Sequence, residues 1–390
     1  MRFRKENGEF YPLGISVKLG EIAEVKGGVG FPVKLQKEDT MEIPFFKVSD
    51  MNIQGNEREL KISNNYVSQD TLESKLRCKV FNPPGIVFAK VGAALLLDRK
   101  RLCYQKFLVD NNMMAVTVNS KNCVTEYLYY YLVNFNLSSL SQVGALPSIN
   151  AKQVKDINII LPCKDEQEKI ASFFSTLDEK ISLVEDKLTL INKLKKGIIQ
   201  KILSQEVRFR DEKGCVFPDW INKKMGDIFS ISAGGDLDKS RASNYFDKTF
   251  CYKVFANALT DDGLYGYANY YLIEGDTITV TGRGDIGHAI ARHEKYVPIV
   301  RLLVCKPLKQ QNVDFFAEII NNTKIFNEST GVPQLTRPQL AEIKVPVPTL
   351  DEQDKIAKLV KSLDDLIKTN RNKINQLRRL RQGLIKEMFA

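Results

Sequence analysis

Asp165-Glu166-Gln167-Glu168-Lys169-Ile170-Ala171 recurs 186 residues later as Asp351-Glu352-Gln353-Asp354-Lys355-Ile356-Ala357. The same offset carries Pro147 to Pro333, Ile157 to Ile343, Pro162 to Pro348, Leu177-Asp178 to Leu363-Asp364, Lys187 to Lys373, Gly197 to Gly383 and Ile199 to Ile385. A register held without a gap over so many positions means two tandem copies of one structural unit. Upstream the copies are looser. Lys18-Leu19-Gly20-Glu21-Ile22 answers Lys224-Met225-Gly226-Asp227-Ile228, and Gly27-Gly28 answers Gly234-Gly235. Each unit thus has a divergent first part and a closely repeated second part.

The repeated part reads as a short strand followed by a long helix. Apolar residues alternate in Ile157 to Leu161 and in Ile343 to Val347, and Pro162 and Pro348 end the runs. Asp165 and Asp351 are placed as helix N-caps, with further acids in the first turn to complement the macrodipole. From there Ile170, Phe174, Leu177, Ile181, Val184, Leu188 and Ile191 alternate spacings of 4 and 3, a heptad seam. The second copy repeats it with Ile356, Val360, Leu363, Ile367, Asn370, Ile374 and Leu377. Continued to Leu203 and Phe389, each helix is ~38 residues and ~57 Å long. Both helices start acidic, whereas Lys187 to Lys201 and Lys368 to Lys386 hold no acid. Antiparallel pairing sets each acidic start beside the other's basic end, which predicts a two-helix coil within one chain, related by a pseudo-twofold axis. Lys195 and Arg381 fall on the seam at equivalent positions. Either they snorkel out of it or they make a polar contact across it.

The 390 residues suffice for two or three domains, and 57 Lys+Arg against 47 Asp+Glu give a net charge of +10. No uncharged apolar run of ~18 residues exists, so no membrane span is expected. Seven scattered cysteines without CxxC spacing and only two histidines, His288 and His293, argue against a zinc site, a disulfide framework and most histidine-based catalysis. A reducing cytoplasm is the expected compartment, and the basic excess points to a polyanionic partner. The expected boundaries are a first divergent domain at 1–160, a helix at 161–206, a second divergent domain at 207–346 and a second helix at 347–390. Arg208 to Asp219 has the composition of an interdomain linker.

The divergent parts read as mixed α/β. Strands are expected at Val17 to Val25, Pro44 to Val48, Gly85 to Val91 and Met113 to Val118, with a helix at Glu126 to Phe135. In the second copy strands are expected at Lys253 to Ala256, Asp276 to Val280 and Ile299 to Cys305, with a helix at Phe315 to Asn321. Two apparent enzyme signatures fail on chemistry. Asn82-Pro83-Pro84-Gly85 resembles the Asn-Pro-Pro-aromatic motif of adenine methyltransferases, but Gly85 cannot stack on a flipped base. Gly282-Arg283-Gly284-Asp285-Ile286-Gly287 is a formal GxGxxG, yet it lacks the following amphipathic helix and acid-ended strand of a dinucleotide site. No GxxxxGK[ST] is present. What remains is basic residues beside Asn, Gly and aromatic residues: Lys90, Arg99, Lys100, Arg101, Lys106 and Asn111-Asn112 in the first copy, and Lys239, Arg241, Asn257, Arg283, Arg292 and Lys295 in the second. Arg and Lys neutralise phosphates or read guanine, and Asn reads adenine. Singly, residues of these types are more often ordinary solvated surface residues.

With these residues in hand, the chain resembles the specificity subunit of a Type I restriction-modification system. The resemblance rests on Leu161-Pro162…Asp165-Glu166-Gln167…Ile170-Ala171 and Val347-Pro348…Asp351-Glu352-Gln353…Ile356-Ala357. It extends to Pro84 through Ala93, Val109 through Met114, Leu146 through Asn150, Gly275 through Gly287, and Val332-Pro333-Gln334-Leu335-Thr336. It implies a mixed α/β fold with two tandem target-recognition domains separated by two antiparallel helices. It also implies a non-catalytic reader of double-stranded DNA with a bipartite, asymmetric target. The implied partners are two modification subunits, which carry S-adenosylmethionine and methylate adenine N6, and restriction subunits using ATP and magnesium. No cofactor is expected in this chain. A specificity subunit of a methyltransferase-nuclease fusion, or a non-enzymatic coiled-coil scaffold, are the alternatives on sequence.

Overall fold

The computed structural model describes residues 2–36, 42–76, 78–141, 146–323 and 334–390. Val332 and Pro333 of the repeated motif lie outside them. The chain divides into two compact units, Met1–Glu185 with Asn372–Ala390, and Asp186–Arg371.

In the first unit the strands are β1 (Ile15–Lys18), β2 (Ala23–Gly27), β3 (Ile43–Phe46), β4 (Tyr66–Val67), β5 (Gly85–Ala89), β6 (Lys100–Cys103), β7 (Leu108–Val109), β8 (Met113–Val118) and β9 (Asn158–Leu161). They form a four-stranded antiparallel sheet ordered β2-β8-β5-β6, a three-stranded sheet β4-β3-β7 and the pair β1-β9. Alternation along β5 sorts its residues to two cores. Ile86 and Phe88 join Met114, Val116 and the helix Thr125–Asn134 through Tyr127, Leu128 and Tyr130. Val87 joins Phe46, Leu60, Phe107, Met113 and Ala115 on the other face.

The second unit holds β10 (Ile221–Lys224), β11 (Phe229–Ala233), β12 (Ala242–Ser243), β13 (Tyr252–Phe255), β14 (Leu264–Ala268), β15 (Thr277–Val280), β16 (Ala289–Arg292), β17 (Tyr296–Pro298), β18 (Leu303–Pro307) and β19 (Lys344–Val347). Its sheets are β11-β18-β15-β16, β12-β14-β13-β17 and β10-β19. Apart from the extra strand β12, this is the strand order of the first unit. Even the parallel pairing recurs, β3 with β7 and β13 with β17. The divergent sequences therefore encode one topology, and the chain is of mixed α/β class throughout.

Three sequence readings are corrected. Val17 to Val25 is two strands, because Leu19–Ile22 forms a helical turn that buries both Leu19 and Ile22 and interrupts the run. Ile299 to Cys305 is a tight turn over Ile299–Leu302 followed by β18. Arg208 to Asp219 is no linker: Arg210 bridges Val216 as Arg4 bridges Phe10 in the first unit. Arg208-Phe209-Arg210 repeats Arg2-Phe3-Arg4, and Phe3 and Phe209 each pack on their own unit's core. The arm is tied down the same way in both units, with Lys169 Nζ donating to Arg4 O at 2.9 Å and Lys355 Nζ to Arg210 O at 2.6 Å. The same comparison shifts one glycine pairing. Gly28 and Gly234 are the true equivalents, since Gly28 N donates to Met113 O and Gly234 N to Leu302 O. A Cβ on Gly28 would stand 2.1 Å from the Val109 and Asp110 carbonyl oxygens, and one on Gly234 2.5 Å from Pro298. Only glycine lets the backbones meet there.

The long helices run Lys164–Leu203 and Leu350–Met388. Each begins one residue before the aspartate expected to cap it. Ile170 and Phe174 at the start of the first helix pack with Ile385 at the end of the second. In the other unit, Ile199 and Ile202 meet Ile356, Ala357 and Val360. Pairing is therefore antiparallel within each unit. Of the seam residues, Ile170, Phe174, Ile181, Val184, Ile356, Val360, Leu363, Ile367 and Ile374 are buried, while Leu177, Leu188, Ile191 and Leu377 are half-buried. The seam cations cross rather than snorkel. Lys195 Nζ lies 2.8 Å from Asp364 and 3.4 Å from Glu318, and Arg381 pairs with Asp178, which also takes Arg58 at 3.3 Å.

The Glu-Gln pair at each helix start has a physical function. Gln167 accepts from Val124 N at 2.8 Å and donates to the Asn122 and Pro162 carbonyls at 2.8 Å. Gln353 accepts from Asn312 N at 3.0 Å and donates to Gln311 Oε1 at 2.9 Å and Pro348 O at 3.0 Å. Each buried amide thus clips its long helix to the loop before the short helix of its own domain. Beside it, buried Glu352 takes Arg208 at 3.1 Å and Trp220 Nε1 at 2.9 Å. Its equivalent Glu166 is also buried, which raises its pKa above the usual carboxylate range, with Arg2 opposing the shift.

Candidate nucleic-acid interface

In both units an inner strand of the all-antiparallel four-stranded sheet, β5 or β15, ends at a loop beside the segment preceding the repeated strand. Ile149 N donates to Lys90 O at 3.0 Å, and Leu335 N to Gly282 O at 2.9 Å, the two donors again 186 residues apart. Val91 bridges Ser148 as Arg283 bridges Gln334. Gly92 and Gly284, the next residues, share a φ of +69°. One backbone frame therefore carries Lys90-Val91-Gly92 in the first unit and Gly282-Arg283-Gly284 in the second. The second-unit loop is pinned by Gly287 N to Thr281 O at 2.8 Å and His288 N to Thr281 Oγ1 at 2.9 Å, leaving Arg283 exposed. It joins antiparallel β15 and β16, so its GxGxxG spacing shapes a hairpin and cannot cradle a dinucleotide.

A four-residue turn sits beside each loop. Met113 N closes on Asp110 O and Leu302 N on Ile299 O, both at 3.0 Å, so Asn111-Asn112 and Val300-Arg301 occupy the same corner. In the first unit Lys90 N donates directly to Asn112 O at 2.8 Å, bringing Lys90, Asn111 and Asn112 together, with both asparagines exposed. In the second, Asn257 mediates: its Oδ1 accepts from Gly282 N at 2.7 Å and its Nδ2 donates to Val300 O at 2.6 Å. Asn257 is thus a clip between loop and turn, with its amide engaged internally instead of free to read a base.

The other candidates divide by burial. Lys100 is 3% exposed, pairs with Asp98 at 2.7 Å and donates to Phe135 O at 2.8 Å. Burial lowers its pKa, partly offset by Asp98. Arg292 is 6% exposed, stacks 3.6 Å from the Phe255 ring centroid and donates to Thr279 Oγ1 and Asp262 O; burial lowers its pKa too. Both cations hold the fold together and leave the set of candidate contacts. Arg101 is half-buried and donates to Asn56 O at 2.7 Å, while Arg99 reaches Asn52 Oδ1 at 2.6 Å, so these two brace the segment around residues 52–58. Lys106 is exposed. Lys239 is exposed on a helical turn, Lys239–Arg241, whose Arg241 stacks 4.3 Å from the Tyr270 ring centroid. Lys295 lies 2.8 Å from Glu274 and 4.5 Å from the Tyr271 ring centroid. Arg301 is exposed at the corner beside Arg283 and escaped the sequence reading, because the apolar run around it holds no Gly or Asn to signal a turn.

Comparison with known proteins gives the family. The family model described as the Type I restriction modification DNA specificity domain matches twice, over residues 16–193 and 218–379. The chain belongs to the Type I specificity-subunit family. A putative type I specificity subunit of Mycoplasma pneumoniae is 25% identical over 341 residues, covering 87% of this chain and 86% of its own. The putative type I restriction enzyme MjaX specificity subunit of Methanocaldococcus jannaschii is 26% identical over 294 residues, 70% of this chain and 69% of its own. The crystal structure of the S subunit from a Mycoplasma genitalium (M. genitalium) Type-I system matches at a TM-score of 0.63 and 16% identity, over 100% of this chain and 98% of that one. That last likeness establishes the fold. As a specificity subunit, this chain is the DNA-recognising component of a restriction-modification system and not its enzyme. Among the described residues no group of three His, Cys, Asp or Glu is placed to hold a metal, and no helix is long and apolar enough to cross a membrane.

Proposed function

We propose that this specificity subunit reads a bipartite, asymmetric DNA target, one half-site per domain. The observation that carries the proposal is the shared frame with unlike readers: Lys90-Val91 beside Asn111-Asn112 in one unit, and Arg283 beside Val300-Arg301 in the other. Topologically equivalent positions present an amide-rich corner once and, on a left-handed turn at Val300-Arg301, a guanidinium-rich corner once. Amides favour adenine and guanidinium groups favour guanine in the major groove, so the half-sites differ. Exposed Lys106, Lys239 and Lys295 suit phosphate contacts, which supply affinity without sequence preference.

The two long helices act as the spacer in this reading and offer the surface on which two adenine-N6 methyltransferase subunits, carrying S-adenosylmethionine, dock. Restriction subunits using ATP and magnesium complete the assembly, and the chain works in the cytoplasm. Co-expression with the modification subunits and genome-wide mapping of methylated adenines tests the reading; two unlike half-sites at a fixed gap are expected. Inserting four residues after Leu188 and after Ile374 adds ~6 Å and turns each helix only ~40° past a full turn. The gap should grow by about two base pairs; an unchanged gap removes the spacer role. Absence of any bipartite methylation motif removes the proposal.

A further inference from the structure

We infer that Arg301 is a second base-reading residue of the second domain, and that Asn257 is the positioning residue that sets its spacing from Arg283. The inference rests on the DNA-reading assignment above and goes further, since it predicts the composition of one half-site. Val300 and Arg301 hold φ of +52° and +60°, the left-handed region that β-branched and long side chains avoid. Such conformations persist where the surrounding structure enforces them and cluster at functional corners. The enforcement is visible here. Val300 N donates to Gly235 O at 2.9 Å, Arg301 N to Gly234 O at 3.0 Å, and Asn257 Nδ2 grips Val300 O from the other side.

The corner does not serve packing. Arg301 is exposed and Val300 is 48% exposed, so neither side chain repays the strained backbone by burial. What the conformation does achieve is to turn Arg301 out beside the Arg283 loop. The Arg301 carbonyl oxygen lies 3.4 Å from where a Cβ on Gly282 would stand. Asn257 joins both pieces through one planar amide, so loop and turn cannot move independently without losing one of its bonds. Two planar guanidinium groups on a common rigid support are matched to N7 and O6 of guanine. The first unit, with Val91 and Asn112 at the same two places, lacks both. The second half-site is therefore expected to require guanine at two positions and the first is not.

The test uses the full chain co-expressed with its modification subunits, with methylated adenines mapped for wild type, Arg301→Ala, Arg301→Lys and Asn257→Leu. Arg301→Ala should relax one guanine position of the second half-site, with a loss of discrimination on the order of 10- to 100-fold. Arg301→Lys keeps the charge but not the bidentate fork, so it should relax the same position while overall methylation stays near wild type. Asn257→Leu should blur the positions read by both Arg301 and Arg283, leaving the first half-site intact. A second half-site unchanged in Arg301→Ala and Arg301→Lys, or relaxation falling equally on both half-sites, overturns the inference while leaving the bipartite reading standing. No bipartite motif in the wild type would overturn that reading instead. Arg301 is exposed, so folding of its variants is not in question, and thermal melting of Asn257→Leu separates a general loss of structure from a confined loss of specificity.

Discussion

Replacing Gln353 by alanine probes how the repeated Glu-Gln motif works. The side chain is 1% exposed and makes three hydrogen bonds. Truncation strands the Asn312 N–H and the Pro348 carbonyl, since alanine reaches neither. A buried polar group left without a partner costs about 1–3 kcal/mol. Gln311 lies nearer solvent and can turn to water, so its lost bond adds little. Asn312 is only half-buried and stays near the lower end, whereas Pro348 is buried, so the sum is about 2–4 kcal/mol, a large share of the ~5–15 kcal/mol that holds a typical domain together. Urea unfolding gives the magnitude, and native-state hydrogen exchange gives its location. Exchange should accelerate in Val313–Asn322 and the first turns of Leu350–Met388, by on the order of 30- to 1000-fold for amides that exchange through this opening. Thr125–Asn134 should be untouched. Gln167→Ala should show the mirror result, with loss confined to the first unit. A change under about 0.5 kcal/mol, or acceleration spread evenly over both units, would refute the reasoning that these amides clip each helix to its own domain.

Three further outcomes are expected. Arg208→Met leaves the buried Glu352 carboxylate with Trp220 as its remaining partner and should cost about 3–5 kcal/mol, measured by urea unfolding; a neutral result would show that Trp220 suffices. His293 sits 2.8 Å from Asp276 and 3.2 Å from Asp314; burial pushes its pKa down, but the two carboxylates outweigh it and the net shift is upward. Because the folded value is raised, its stabilisation is fully present below about pH 6.5 and is lost as pH rises through the folded pKa. The wild-type advantage over His293→Gln should shrink across that window and be small and salt-sensitive at a half-exposed site; a pH-independent difference contradicts it. Val300→Gly removes the Cβ from a left-handed residue and should raise stability by about 1 kcal/mol, so a lowered melting temperature would show that the corner is unstrained.

Most of the helical architecture was legible because its signals are local or duplicated. The seam from Ile170 to Ile191 shows itself by spacing alone, and the acid-to-base gradient along each helix predicts the antiparallel pairing. Strands such as Met113–Val118 follow from composition. The misreadings came where the deciding contact is distant in sequence. Leu19 and Ile22 look like part of a strand until the core that buries them is known. The turn at Val300-Arg301 hides in an apolar run because its geometry is imposed by Gly234, Gly235 and Asn257. The polar arm Arg208 to Asp219 resembles a linker, yet Phe209 and Arg208 anchor it to the unit's core and to Glu352.

For the candidate DNA-contacting residues the division is similar. Composition identified the supply of cations but could not say which were free. Lys100, on β6, and Arg292, on β16, carry the same formal charge as Arg283, yet both are buried among partners and only Arg283 is left to solvent. That there are two copies of one unit, each ending in a long amphipathic helix, is readable from the chain alone, because periodicity and repetition are local properties of it. That Val91 and Arg283 occupy one position of a common frame, and that Asn257 braces a loop, emerges from the folded arrangement. Burial and hydrogen-bond partnership are set by residues far apart in sequence, and they become defined when the sheets and helices pack.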